Sequence, residues 1–146
     1  MRYDAVMTHP TSLRLPDDVK QQLDRLARET GETSSAAAIR LIDEGLRMAA
    51  HPGIFFQTSG SGDRIARLIS GPKILNVIEV LTELEATGAE RLQEAAEWFN
   101  IPLPHVQIVV EYWADFRDEL DEALRRRQQV AAELKARYDA GQELLA

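Results

Sequence analysis

Apolar and polar positions change their period several times along this chain, and each change marks an element. In Thr11-Ser-Leu-Arg-Leu-Pro16, Leu13 and Leu15 alternate with Ser12 and Arg14 before Pro16 stops the run; this pattern predicts a short, half-buried strand. No hairpin partner lies nearby in sequence, and a lone strand leaves its N–H and C=O groups unpaired. The expected partner is therefore the same strand of a second copy, antiparallel about a two-fold axis, with Ser12 and Arg14 on the free face. Val19, Leu23, Leu26 and Ala27 then form one helical stripe, with Asp17 and Asp18 at the positive end of the helix dipole and Gly31 to end it. A second helix, capped by Ser34 or Ser35, carries the stripe Ala38, Leu41, Ile42, Gly45 and Leu46.

Ala49-Ala-His-Pro-Gly53 breaks that helix, because Pro and Gly together cannot continue it. Ile54-Phe-Phe56 and Ile65–Ile69 read as two short strands joined by the glycine-rich stretch Gln57–Asp63. That stretch lacks a following helix and a P-loop lysine, so it is expected to be a hairpin loop and not a phosphate cradle. After Gly71-Pro72 comes the stripe Ile74, Val77, Ile78, Leu81 and Leu84, closed by Gly88. A helix with Leu92, Ala95, Ala96 and Phe99 follows, and Asn100–Pro104 turns the chain into a third with Val106, Val109, Val110, Trp113 and Phe116. Three short helices joined by tight turns resemble a helix-turn-helix. The third shows Gln107, Glu111 and Asp115 on its polar side, and carboxylates there repel phosphate, which favours a folding and interaction module over a DNA reader. From Asp118 to about Ala140 a charged helix keeps Leu120, Leu124, Ala131, Leu134 and Tyr138 on one side. Its acid-first pairs Asp121/Arg125, Glu122/Arg126 and Glu133/Arg137 have the favourable i,i+4 order. Met1–Pro10 has no period and reads as a mobile lead-in.

Composition narrows the function classes. The chain of 146 residues has no cysteine, so disulfides and cysteine-held metals are excluded, and its three histidines, His9, His51 and His105, stand far apart. No apolar run approaches a membrane span and the N-terminus lacks the core of a signal peptide, so a cytoplasmic location is expected. No nucleophile lies near a base in a recognisable motif; no catalytic residue, metal or cofactor is expected, and the chain does not read as an enzyme. Net charge is −7, split as −1 up to Ala50 and −6 beyond it. Phosphate neutralisation drives non-specific DNA binding, so an acidic chain needs its few cations well aimed, or a partner that brings positive charge.

Leu13-Arg-Leu-Pro-Asp17, the stripe to Ala27, Glu29-Thr-Gly31, Ser34-Ser35 and Leu41-Ile-Asp-Glu-Gly-Leu46 together resemble a ribbon-helix-helix DNA-binding domain of the CopG/Arc/MetJ type, over roughly residues 8 to 48. Pro10, Thr11 and Ala38-Ile39 depart from the family pattern. The resemblance implies an intertwined dimer whose Ser12 and Arg14 read bases of operator DNA while Thr33, Ser34 and Ser35 hold its backbone. His51-Pro-Gly-Ile-Phe-Phe, Gly71-Pro and Tyr112 followed by Glu119-Leu-Asp121 resemble, over about residues 51 to 124, the C-terminal domain of small VapB-like bacterial antitoxins, whose partners are often PIN-type ribonucleases. The expected fold is thus mainly α. A ribbon-helix-helix domain (1–50) precedes a β-hairpin plus three-helix domain (51–117) and a C-terminal helix with tail (118–146).

The expected function is that of an antitoxin which autorepresses its operon as a dimer. Toxin-binding candidates are Arg125, Arg126, Arg127, Arg137 and Tyr138. An arginine presented by a helix can pair with the carboxylates that hold a nuclease's Mg²⁺. The alternative is a stand-alone regulator whose C-terminal domain oligomerises or senses a ligand.

Overall fold

The computed structural model describes residues 8–146; Met1–Met7 of the expected lead-in lie outside them. Six helices and one two-stranded hairpin make up the described residues. Thr8–Pro16 carries no regular secondary structure in the single chain. Helix α1, Asp17–Thr30, begins behind Pro16 with Asp17 and Asp18 in its first turn. It ends in a left-handed turn at Gly31, φ +70°, where the Glu32 N–H reaches Ala27 O at 2.9 Å and the Gly31 N–H reaches Arg28 O at 3.4 Å. This is the paired closure that a residue free to take positive φ makes possible.

Helix α2, Ser34–Ala50, is capped by neither Ser34 nor Ser35 but by Thr33, whose Oγ1 accepts the Ala36 N–H at 3.1 Å. Ser34 instead donates its hydroxyl to Asp24 at 2.7 Å, tying the start of α2 to α1. The contact between the two helices buries only Ala27 and Ala37 among their apolar residues. Most of the predicted α2 stripe faces outward in the single chain: Ile42 is 48% and Leu46 66% exposed, and Leu41 is exposed too. Glu44, on the same helix, is buried despite its charge.

At Gly53 the chain turns with φ +102°, which calls for glycine; a Cβ there would also come 2.9 Å from the end of the Ile108 side chain. Strands β1 (Ile54–Thr58) and β2 (Arg64–Leu68) pair antiparallel, with Ile54 opposite Leu68 and Thr58 opposite Arg64. The glycine-rich stretch is a hairpin connection, as expected, shortened to residues 59–63 by two further pairs. Ile69, predicted to lie in the strand, falls beyond it and is exposed.

Helices α3 (Ile74–Glu83), α4 (Gly88–Phe99) and α5 (Leu103–Asp115) follow. Gly88 does not close α3, which stops at Glu83; it opens α4 at φ +56°. The predicted stripes meet here in one core. Leu68, Ile74, Val77, Val106, Val109 and Tyr112 are almost wholly buried, and Ala95, Leu120 and Leu124 complete the cluster. Helix α6 runs from Arg117 to Leu145, longer than predicted. Leu120 and Leu124 hold it to the core, but residues 128–146 are all exposed. At 1.5 Å per residue, roughly 27 Å of helix stands clear of the body.

Glu32 links pH to the N-terminal helices. Arg40 donates to both its carboxylate oxygens at 2.8–3.2 Å and the Thr30 hydroxyl adds a bond at 2.7 Å; Arg40 first, then Thr30, hold the carboxyl below the usual glutamate range. A depressed folded-state pKa contributes stability above the unfolded value and loses it as pH falls through the folded one. The urea midpoint of the N-terminal helices is therefore expected to fall on acidification through the carboxylate range, and Glu32→Gln to flatten that slope.

Candidate nucleic-acid interface

Ser12 and Arg14 sit in the exposed segment ahead of α1, and Thr33, Ser34 and Ser35 at the start of α2. Arg14, Arg25 and Arg28 form no ion pair among the described residues, whereas Lys20 pairs with Asp24. Hydrogen bonds from Lys20 and then from Ser34 pull the Asp24 carboxyl below its ordinary value, so that acid is engaged before any ligand arrives. The Thr33 cap takes the Ala36 N–H, and the Thr33 carbonyl takes that of Ala37 at 3.0 Å. The Ser34 and Ser35 N–H groups are then the first-turn donors left for water or a phosphate. Of the two serines, Ser34 has its hydroxyl committed to Asp24; Ser35, exposed, does not.

Residues 9–42 match the family model described as ribbon-helix-helix protein, copG family. This segment is a ribbon-helix-helix domain. Ribbon-helix-helix domains bind DNA, usually as dimers. The match stops at residue 42 and leaves the VapB-like reading of residues 51–124 untouched. Neither the curated proteins nor the solved structures give a match to the chain. The outward Leu13, Leu15, Val19, Leu41, Ile42 and Leu46 all fall on the ribbon-helix-helix unit. Their exposure in a single copy is what a domain completed by its twin would show.

Behind that domain lies a junction that periodicity did not reveal. Arg47, near the end of α2 and 11% exposed, forks onto Glu119 of α6 at 2.6 and 3.1 Å and donates to the Tyr112 hydroxyl of α5 at 3.0 Å. Its guanidinium also lies 3.9 Å over the Phe116 ring. Burial alone lowers the Arg47 pKa, but Glu119 and Tyr112 more than offset that and leave it raised; burial pushes the Tyr112 phenol up, against the opposing pull of Arg47. Buried Glu44 receives a second fork, from Arg64 of β2 at 2.6 and 2.9 Å. Buried His51 contacts Asp115 at 2.8 Å and meets the Tyr112 ring edge-on at 5.3 Å, so its role is structural.

The candidate toxin contacts on α6 separate into two groups. Arg127 turns inward, donating to Asn76 at 2.8 Å and Glu79 at 3.1 Å on α3. Arg125, Arg126, Arg137 and Tyr138 are exposed, and Arg125 pairs with Glu122 at i−3. None of the three predicted i,i+4 pairs forms: Asp121 accepts from Trp113 Nε1 at 2.8 Å, and Glu133 is near Gln129. Among the described residues there is no group of three or more His, Asp or Glu that could hold a metal, and no helix long and apolar enough to cross a membrane.

Proposed function

We propose that this protein is a dimeric operator-binding repressor and the antitoxin of a toxin–antitoxin pair, with a PIN-type ribonuclease as the expected toxin. The observation that carries the reading is a chain with two uncovered apolar surfaces that do different jobs. One belongs to the ribbon-helix-helix domain and suits a second copy. The other runs along the clear part of α6, where Leu134 and Tyr138 are exposed in line with buried Leu120 and Leu124. A partner groove that takes this helix continues the burial already begun inside the chain, as an amphipathic helix in an apolar groove does. Arg125, Arg126 and Arg137, on the polar side of the same helix, are the arginines offered to a nuclease's metal-binding carboxylates. The net charge of −7 adds support, because a basic toxin would supply the phosphate-neutralising charge that the repressor lacks.

Two measurements test the proposal. In a shift assay on the DNA upstream of its own gene, Arg14→Ala should weaken binding by about tenfold or more, as expected for losing a base contact worth roughly 1 to 3 kcal/mol in each half-site; unchanged binding would remove Arg14 from the interface. Co-expression with the neighbouring gene product should give a stable complex that Leu134→Asp with Tyr138→Ala abolishes while dimerisation persists. A second reading, a stand-alone regulator that senses a small ligand, is favoured by the cleft of about 370 Å³ at the junction, between α2, the hairpin and the starts of α3 and α6.

A further inference from the structure

A second cleft, of about 400 Å³, lies among α3, α4 and α5 and reaches Asp121 on α6. Its apolar walls are Ile78, Leu81, Leu92, Val109, Val110 and Trp113. Ile78 and Val109 are buried, whereas Val110 and Thr82 are exposed, so the cleft opens to solvent on their side. The polar side chains on its walls are already engaged within the chain. Trp113 donates its Nε1–H to Asp121 at 2.8 Å, Arg91 donates to the Leu84 and Ala86 carbonyls, and the Thr82 hydroxyl donates to the Glu79 carbonyl at 2.7 Å. What enters the cleft must therefore be apolar, since a polar occupant would lose its water and gain no partner. Charge around the cleft points to the rest of the occupant. Residues 74–122, which supply all of its walls, carry twelve acidic residues against Arg91 and Arg117 alone. Arg127, His51, Arg47, Arg117 and Arg125 engage five of the twelve, each at one carboxylate. The other seven, Glu94 and Glu111 among them, form no ion pair among the described residues. A small neutral ligand would use the walls and leave that charge unanswered; a basic segment with no apolar face would do the reverse.

We infer that this cleft docks a basic amphipathic helix of a partner protein, its apolar side chains against Leu81, Leu92, Val110 and Trp113 and its lysines or arginines toward the surrounding carboxylates. An apolar face laid in a groove supplies affinity, and opposite charge outside the groove selects the partner and speeds the encounter. This surface is separate from the clear part of α6, and the inference does not depend on whether a toxin exists.

The test is a fluorescence titration of the full chain carrying Trp98→Phe, which leaves Trp113, on the cleft wall, as its one tryptophan. The probe is a leucine–lysine peptide patterned with the helical period; its controls are the leucine–glutamate analogue and a shuffled leucine–lysine peptide with no apolar face. The patterned basic peptide should saturate at one per chain with a blue shift of Trp113 emission, and weaken as salt is added. Both controls should bind roughly tenfold more weakly or worse, because each lacks one of the two complementarities. Val110→Lys and Thr82→Lys place a cation at the exposed mouth of the cleft and should each weaken the peptide by a similar factor, with circular dichroism showing the chain folded. Absence of saturation, or either control binding as tightly as the probe, would overturn the inference. So would parent-like affinity in a folded Val110→Lys chain, which would put the peptide elsewhere, such as on α6; should that variant fail to fold, the same result with Thr82→Lys decides. Sedimentation in which Val110→Lys breaks up an assembly of the parent chain would give the cleft to a second copy and reject the partner helix.

Discussion

Ile42→Asp is expected to convert the protein to a monomer that no longer shifts operator DNA. Ile42 is about half exposed in the single chain and, with Leu41 and Leu46, lies on the face that the second copy would cover. Burying one isoleucine side chain is worth roughly 1.5–3 kcal/mol, and two-fold symmetry makes each substitution count twice. A carboxylate placed in that contact also has to be desolvated without a partner. A combined loss of about 5 kcal/mol weakens dimerisation several thousandfold. Sedimentation should show monomer at concentrations where the parent chain is dimeric, and the shift assay should fail at any practical concentration. The core built on Leu68, Val77 and Val109 is distant in sequence and independently packed, so its helical signal should persist. A dimer that survives Ile42→Asp would place the association surface elsewhere.

The second large effect concerns the junction. Arg47→Ala leaves Glu119 and the buried Tyr112 hydroxyl without their donor and removes the guanidinium from the Phe116 ring. Removing one partner of a buried ion pair costs several kcal/mol, but Glu119 is about a third exposed and water recovers part of its loss. A net destabilisation of about 2–3 kcal/mol is expected, or roughly 5–10 °C in melting temperature for a chain of this size. Glu119→Gln should cost less, since the amide oxygen still accepts. Combined with Arg47→Ala it should add little beyond the single change, the signature of two residues that share one interaction. Additive losses would mean that the fork contributes nothing as a pair.

Where burial followed a helical or alternating period, the chain could be read directly. Ile74, Val77, Ile78, Val106 and Val109 were expected on core-facing stripes and line the core, and the hairpin falls between its predicted breaks. Finer features depended on choices with nearly equal energies. Three consecutive hydroxyl residues, Thr33 to Ser35, are comparable caps, and only the hydroxyl's competing bond to Asp24 removes Ser34. Gly88 serves equally well to end one helix or to open the next, since positive φ suits either. The junction left no trace at all: Arg47 and Glu119 are 72 residues apart, and a glutamate such as Glu44 on a charged helix reads as solvated surface until Arg64 arrives from a different element. The ribbon is a different case: the alternation of Leu13 and Leu15 calls for a strand from a second copy, and in the single chain Thr8–Pro16 carries no regular secondary structure.

The clear part of α6 has a bearing on lifetime. With every side chain from residue 128 onward exposed, helicity there rests on local bonds alone, which in water are marginal for a segment of this length. Gly141 weakens the last turns by a further ~1 kcal/mol relative to alanine. An uncovered end of this kind unravels often and offers its backbone to proteases, while a bound one does not. The cell's stock of this protein would then follow the abundance of whatever occupies that helix.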